Sequence, residues 1–278
     1  MKRKNLTILF ILLALLFSQA AFTQTKAPGK ILFIDSPSGN KSYLASINPD
    51  GTNKKRLTPA FNNIMFPKQN EKSGWIGFTN KTPKMDSEIY LLNKAGDKIK
   101  RVITGAAFED FSPDGKFFLY TTCDGKAELY VYSLERKRAT KISQDLKVVS
   151  ASWSHDGEWI VTSVLAEDGS TDLYLISALA QGITRLTKTE NVNEAFPVFS
   201  ADDKYIVYFT NRYGKNELEY MNLADKTIQR PVIYGTYPSL SPDNKMVVFQ
   251  RGNTIGISRI DGLDQEILVK GRTPSWIK

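Results

Sequence analysis

Cysteine and histidine are nearly absent from this chain, whose 278 residues include one of each, Cys123 and His155. A single cysteine excludes an intramolecular disulfide, so the core and the topology must hold the fold together. Two such residues are also too few for a zinc site. A Cys-His or Ser-His-Asp device needs its histidine beside its nucleophile, and the repeats described below place His155 and Cys123 on opposite faces. The commonest catalytic centres are therefore not expected.

Long apolar runs are also missing, except near the N-terminus. Residues 6–17 form an apolar stretch that is too short to span a bilayer comfortably. Lys2, Arg3 and Lys4 precede it, and residues 18–20 follow with small side chains at the two positions that a signal peptidase reads. The pattern predicts a secretory signal peptide over residues 1–20, with an uncleaved membrane anchor as the alternative.

Cleavage after Ala20 would lower the net charge. The formal charge falls from +8 to +5, because 34 basic residues remain against 29 acidic ones. This charge is not concentrated in one stripe, so nucleic acid is not an expected partner. Residues 21–29 are polar and include Pro28-Gly29, which predicts a flexible leader. The remainder, residues 30–278, is long enough for one large domain.

A tight turn recurs through this remainder. It appears at residues 112–115, 154–157, 200–203 and 241–244, at spacings of about 42, 46 and 41 residues. In the first copy, Ser112-Pro113-Asp114-Gly115, the aspartate is expected to accept hydrogen bonds from nearby backbone N–H groups. The fourth position is expected to take a positive φ, which glycine and asparagine tolerate.

Strands surround each turn. An apolar strand precedes it and another follows, then a strand that opens on an acidic or polar residue, then a short basic strand. No stretch of ten or more residues after the leader shows the period of an amphipathic helix. Four strands in each unit of roughly 40–45 residues are typical of a β-propeller. We therefore predict an all-β fold, a six-bladed β-propeller with four-stranded antiparallel blades.

The two ends of the domain are complementary. Residues 272–278 match the strand that precedes each turn, whereas the first unit begins at Ile31 with its second strand. The C-terminal strand is therefore predicted to complete the first blade and close the ring.

Basic residues recur on the predicted outermost strands. They are expected to discourage edge-to-edge association, with an anionic ligand surface as the alternative. These residues are Lys55, Arg56, Arg101, Lys141, Arg185, Arg230 and Lys270.

The combined motif resembles a known family. The pattern W/F-S-P-D-G-K, then [DE]-[IL]-Y, then R-L-T is similar to the Pro-Asp-type repeat of TolB-like propellers, most closely in NEAFPVFS (193–200) and FTNRYGKNELEY (209–220). The resemblance covers about residues 30–278 and leaves no room for the α/β domain that precedes the propeller in TolB. It implies a periplasmic or secreted protein of the cell envelope. Prolyl-oligopeptidase-type peptidases share the repeat beside a separate catalytic domain, but this chain has no G-x-S-x-G motif.

Candidate binding residues lie in the loops of one face, which join second to third strands or lead into innermost strands. Loops on a rigid scaffold are where binding usually resides. These candidates are Asn62, Asn63, Asp86, Glu109, Asp110, Glu190, Asn193, Glu194, Arg212, Tyr213, Tyr237 and Arg272. No cofactor is expected, although Glu109 and Asp110 near the channel suggest a possible divalent cation site.

The sequence thus favours a non-enzymatic, exported scaffold or adaptor that binds an envelope protein or peptide. The alternative is a carbohydrate-active or lactone-cleaving hydrolase or lyase that uses channel carboxylates. A third reading is a fragment of a larger assembly without a ligand of its own.

Overall fold

The computed structural model describes residues 27–37, 41–84, 86–93 and 95–278. The predicted signal peptide (1–20) and residues 21–26 of the predicted leader lie outside these ranges. Within the described ranges the secondary structure consists of strands and turns, and no helix there is long and apolar enough to cross a membrane.

The strands, numbered β1 to β24 in chain order, form six four-stranded sheets. The innermost strands are β4 (Asn63–Gln69), β8 (Ala106–Phe111), β12 (Val148–Trp153), β16 (Glu194–Phe199), β20 (Thr236–Leu240) and β24 (Arg272–Ile277). The second strands are β1 (Lys30–Asp35), β5 (Trp75–Lys81), β9 (Phe117–Thr122), β13 (Trp159–Leu165), β17 (Tyr205–Thr210) and β21 (Met246–Arg251). The third strands are β2 (Tyr43–Ile47), β6 (Ser87–Asn93), β10 (Leu129–Ser133), β14 (Thr171–Ser177), β18 (Glu217–Asn222) and β22 (Thr254–Arg259). The outermost strands are β3 (Lys55–Arg56), β7 (Ile99–Thr104), β11 (Arg138–Lys141), β15 (Ile183–Arg185), β19 (Ile228–Tyr234) and β23 (Glu266–Lys270).

The sheets are the blades of a propeller, which confirms the predicted fold class. Blade 1 combines β24 with β1, β2 and β3, and blades 2 to 6 follow in chain order. The predicted closure is also confirmed, because β24 pairs antiparallel with β1, with Trp276 opposite Ile31. Apolar clusters fill the spaces between neighbouring blades, such as the cluster around Trp153 and Leu129.

The recurring turn has the structure that its sequence predicts. In the first copy the Ser112 hydroxyl donates to Asp114 Oδ1 at 2.6 Å, and the Lys116 N–H donates to the same oxygen at 3.0 Å. The Phe117 N–H donates to Ser112 Oγ at 3.0 Å. The fourth residue, Gly115, has a φ of +73°. We call the face that carries these turns the turn face, and the opposite face the loop face.

Each innermost strand contains a β-bulge, and this corrects one expectation. The sequence analysis placed the candidate residues in loops, but six of them lie within strands: Asn63, Glu109, Asp110, Glu194, Tyr237 and Arg272. The register of the innermost strand shifts in every blade. A bulge absorbs an extra residue without ending the strand, so polar residues and prolines here do not mark loops.

Basic residues of the outermost strands pair with acidic residues of their own blade. Arg101 Nη1 lies 2.7 Å from Glu88 Oε1, and Lys141 Nζ lies 2.7 Å from Glu128 Oε1. Further pairs of this kind join Arg56 to Asp35, Arg185 to Asp172, and Arg230 to Glu217. These basic side chains therefore stabilise individual blades in addition to placing charge near the exposed edge.

Candidate functional site

The structure divides the twelve candidate residues into groups. Asp86 and Glu190 are exposed. Asn62, Asn63 and Arg272 lie near the junction of blades 1 and 2, where Arg272 Nη2 donates to Asn63 Oδ1 at 3.1 Å. Glu109 and Tyr237 line the channel, and Asp110 lies between blades 3 and 4. The remaining candidates, Asn193, Glu194, Arg212 and Tyr213, lie beside the junction of blades 4 and 5.

Blade 5 carries a polar network on the loop face, beside its junction with blade 4. We call Glu194, Tyr208, Arg212, Tyr213 and Glu219 the Arg212 cluster. Arg212 bonds to Glu194 through Nη2, and its Nε lies 4.0 Å from Glu219 Oε1. The hydroxyls of Tyr208 and Tyr213 donate to the two oxygens of Glu219, each at 2.8 Å. The side chain of Arg212 is 31% exposed, whereas Glu194 and Glu219 are fully buried.

A second arginine extends this network toward the rim. Arg230 lies over the Tyr213 ring, with its guanidinium carbon 3.6 Å from the ring centroid. The same guanidinium donates to both oxygens of Glu217, at 2.7 and 3.0 Å. Tyr213 is thus fixed by a hydrogen bond at its hydroxyl and by a cation on its ring.

Glu194 is the carboxyl group of the cluster whose pKa shifts most clearly with burial. Glu194 Oε2 is buried, and the Thr187 hydroxyl is the neighbouring side chain that acts on this carboxyl group as a hydrogen-bond donor. Burial raises the pKa of Glu194 above its ordinary value, while the nearby charge of Arg212 acts in the opposite direction. Both residues therefore favour the ionised form of Glu194 against the effect of burial.

The cluster includes residues that the sequence analysis did not single out. Glu219 and Tyr208 lie in the middle of strands, where polar groups were not sought. The sequence could have indicated Glu219, because this residue occupies the position that Tyr90, Tyr130 and Tyr174 hold in the acidic-aliphatic-Tyr motif of other blades. An acid in a recurrently aromatic position marks a departure from the repeat.

Aromatic side chains occupy the middle of the channel. The ring of Phe196 lies 5.9 Å from that of Phe66 and 4.2 Å from that of Tyr237, centroid to centroid. Phe66 belongs to blade 2 and Phe196 to blade 5, which face each other across the ring. The cavity left here is about 60 Å³, which is room for only a few water molecules.

Glu109 borders this small cavity. Its oxygens accept hydrogen bonds from Thr121 Oγ1 at 2.8 Å and from the Ala151 N–H at 3.2 Å. Burial raises its pKa from 4.5 to about 8, with the two hydrogen bonds acting against that rise. Glu109 is thus a carboxyl group that binds its proton near neutral pH.

Asp110 joins two blades. Its Oδ2 accepts hydrogen bonds from Ser152 Oγ at 2.8 Å and from the Trp153 N–H at 3.1 Å. The sequence grouped Glu109 and Asp110 as a candidate cation site, and the structure directs both side chains to donors of blade 4. Among the described residues, no group of three or more acidic, histidine or cysteine side chains is placed to hold a metal ion.

His155 and Cys123 lie on opposite faces, as predicted. Nδ1 of His155 is 3.0 Å from Asp203 Oδ1. The backbone N–H groups of His155 and Asp156 also donate to the Asp203 carboxylate, each at 2.9 Å. Asp203 thereby links the turns of blades 4 and 5. Cys123 is an exposed free thiol in the β9–β10 loop.

Comparisons with known proteins agree on the architecture. The family model PD40, described as TolB beta propeller domain, matches residues 21–254. The Tol-Pal system protein TolB of Francisella tularensis subsp. holarctica is 33% identical over 91 residues, which cover 32% of this chain and a fifth (20%) of the relative's length.

Two solved structures share the fold. The crystal structure of TolB from Acinetobacter baumannii superposes with a TM-score of 0.78 at 22% identity, covering 91% of this chain and 68% of that one. The tricorn protease superposes with a TM-score of 0.67 at 14% identity, covering 88% of this chain and 26% of that one. The same architecture therefore occurs in proteins with different activities.

Proposed function

The chain belongs to the family of TolB β-propeller domains, and on that premise we propose that it is an exported scaffold or adaptor of the cell envelope that binds a protein or peptide partner on its loop face. A curated relative is a protein of the Tol-Pal system, which supports a partner in the envelope. The basic and apolar pattern of residues 1–20 supports export.

The observation that carries this proposal is the Arg212 cluster. Tyrosine and arginine are enriched among residues that dominate binding at protein interfaces. Here Tyr213 is 41% exposed, and buried carboxylates hold both Arg212 and Tyr213 in place. A side chain that is already ordered loses little entropy when a partner binds. The cluster thus offers a rigid polar and aromatic surface on the loop face.

Affinity capture from an envelope extract tests this function. The mature wild-type protein should retain one or more envelope proteins, and Arg212→Ala and Tyr213→Ala should each reduce their recovery. Loss of an interface anchor typically weakens binding by about 2 kcal/mol, or roughly 30-fold. Circular dichroism must show that both variants remain folded at the capture temperature.

Arg259→Ala is the matched control. Arg259 lies at the end of β22 on the turn face and pairs with Asp261 and Asp264 at 2.5 and 3.9 Å. It should retain the same proteins as the wild type. Equal recovery by all the variants, or no retained protein from repeated extracts, would contradict the proposal.

The hydrolase alternative has one observation in its favour. A carboxyl group with a pKa of about 8, such as Glu109, is suited to act as a general acid. The cavity beside it is only about 60 Å³, so a sugar would require the three channel aromatic side chains to move. Metal analysis of the purified protein and a glycan and lactone hydrolysis screen test this alternative. If hydrolysis is detected and persists in the Glu109→Gln and Asp110→Ala variants, these two residues have no catalytic role in it.

A further inference from the structure

A groove between blades 3 and 4 opens away from the loop face. Its volume is about 600 Å³, which is within the range of sites that bind ligands. Apolar side chains from both blades form its walls. They are Phe117, Val131, Ile142, Trp153, Ala178 and Leu179.

A comparison of the repeats explains why the groove is open. In several blades the residue after the third strand donates its backbone N–H to the residue before the second strand. Three such bonds, each 2.9 Å long, join Leu134 to Lys116, Ala178 to Glu158, and Leu223 to Lys204. Leu134, Ala178 and Leu223 are therefore structurally equivalent.

The two leucines fill the spaces that correspond to this groove. Leu134 packs against the core between blades 2 and 3, and Leu223 packs against the core between blades 4 and 5. Alanine at position 178 lacks the branched end of the leucine side chain. The next residue, Leu179, does not substitute for it, because Leu179 is 76% exposed at the edge of the groove.

A segment of the chain itself lies against a groove of this kind. The groove between blades 6 and 1 is about 570 Å³, and Met246 and Ile257 stand there in the places of Phe117 and Val131. Ala27 borders this groove and packs on the neighbouring core. Pro28 follows Ala27, and its carbonyl accepts a hydrogen bond from the indole Nε1 of Trp276 at 2.7 Å.

The charges around the blade 3–4 groove favour a ligand that carries a basic residue next to the apolar side chain it inserts. Asp114 and Asp156 border the groove with Lys72. Lys116 pairs with Asp114 at 3.7 Å. Asp203 adds a third carboxylate beside His155, so three acidic residues face two lysines. His155 also borders the groove, and its Nδ1 lies against Asp203.

We propose that the groove between blades 3 and 4 binds an extended segment of a partner protein that inserts one leucine or isoleucine side chain beside a basic residue. The inserted side chain takes the place that Leu134 and Leu223 occupy in other blades. This surface is separate from the Arg212 cluster, so it does not depend on the function proposed for the loop face.

Short peptides test the site in the wild-type protein. The probes are acetyl-Gly-Lys-Leu-Pro-Gly-amide and the same peptide with Ala in place of Leu. Titrations followed by NMR through the Trp153 indole resonance should show at least about tenfold tighter binding of the leucine peptide. Trp153→Phe assigns the resonance. Equal affinities, or no shift of this resonance at millimolar peptide, would overturn the proposal.

Filling the groove is the second test. Ala178→Leu should weaken binding of the leucine peptide by at least about tenfold and raise the melting temperature by about 2–4 °C. Ala139→Leu is the matched control, because Ala139 is exposed on β11 and points to the opposite side from Thr140, which lines the groove. The control should leave the affinity unchanged. Unchanged binding by a folded Ala178→Leu protein would refute the site, and if that variant does not fold, the wild-type titration decides.

Discussion

The carboxyl group of Glu109 stands where four other innermost strands have a proline. The equivalent residues are Pro67, Pro197, Pro238 and Pro274. Proline has an apolar side chain and no backbone N–H group, so a proline at this position in the bulge leaves no donor or side-chain acceptor that needs a hydrogen-bond partner. Glu109 instead brings a titratable group into the core and joins blade 3 to the Ala151 N–H of blade 4.

Glu109 should make the stability of the protein depend on pH. Its pKa is about 8 in the folded protein and 4.5 ordinarily, so between these values the unfolded chain releases a proton that the folded chain keeps. The free energy of unfolding should therefore fall as the pH rises from about 4.5 to about 8, by a few kcal/mol in total, and then level off. Urea denaturation of wild type and Glu109→Gln at about pH 5 and about pH 9 measures this.

The Gln variant should lack that contribution and exceed the wild type in stability at the higher pH. Glu190→Gln is the control, because Glu190 is exposed and its replacement should leave the wild-type pH dependence in place. A wild type and a Glu109→Gln variant with the same pH dependence would show that Glu109 ionises normally.

Glu109 and Glu219 show what the sequence revealed about single positions. Both depart from the repeat, one from proline and one from tyrosine, and both departures can be read by aligning the units. Their partners cannot be read in this way, because Ala151 and Arg212 reach them from another blade and from a loop. The candidates found through loop position therefore included Arg212 but missed Glu219.

In blades 2 to 5 an ion pair joins the third strand, or the residue just before it, to the outermost strand. In blade 5 this pair is Glu217 with Arg230, and the carboxylate is nearly fully buried while the arginine is 40% exposed. The motif acidic-aliphatic-Tyr followed by R-L-T therefore encodes a contact between strands. Its recurrence made the blades recognisable without indicating a binding site.

Removing the arginine of this pair should destabilise the protein. Arg230→Ala leaves the buried Glu217 carboxylate without its bidentate partner and should lower the free energy of unfolding by about 1–3 kcal/mol. Urea denaturation measures the loss. Arg259→Ala, whose partner Asp261 is well exposed, should change stability by only about 0.5 kcal/mol. Equal losses in the two variants would mean that burial of the carboxylate does not matter.

Closure of the ring depends on one strand. Deleting residues 272–278 removes β24, exposes the edge of β1, and takes Trp276 out of the apolar cluster in which it covers Ile31. The shortened chain should lose its cooperative thermal transition, because a ring with an open blade cannot bury that cluster. Calorimetry or circular dichroism follows the transition.

Deleting Lys278 alone is the control for this experiment. Lys278 pairs with Glu71 at 3.6 Å, and both side chains are exposed, so its loss should leave the transition nearly unchanged. A cooperative transition in the chain without residues 272–278 would show that five complete blades and an open one suffice.

The architecture was predictable because its determinants are local and repeated. Each turn sets its own geometry through residues such as Ser112 and Asp114, and four copies of one pattern reinforce each other. The binding surfaces were less predictable, because they form between blades from residues that differ among the copies. Ala178 illustrates this, since its short side chain has consequences only beside Val131 and Trp153 of the assembled ring.

The pairing of β24 with β1 also sets an order in time. A ribosome makes Ile31 early and its partner Trp276 some 245 residues later, since the two lie opposite each other in the sheet. Until residues 272–277 emerge, the growing chain is a row of blades whose first member lacks its inner strand. Completion of the ring therefore requires that every preceding blade has been synthesised, so the closed fold can form only after the whole domain has left the ribosome.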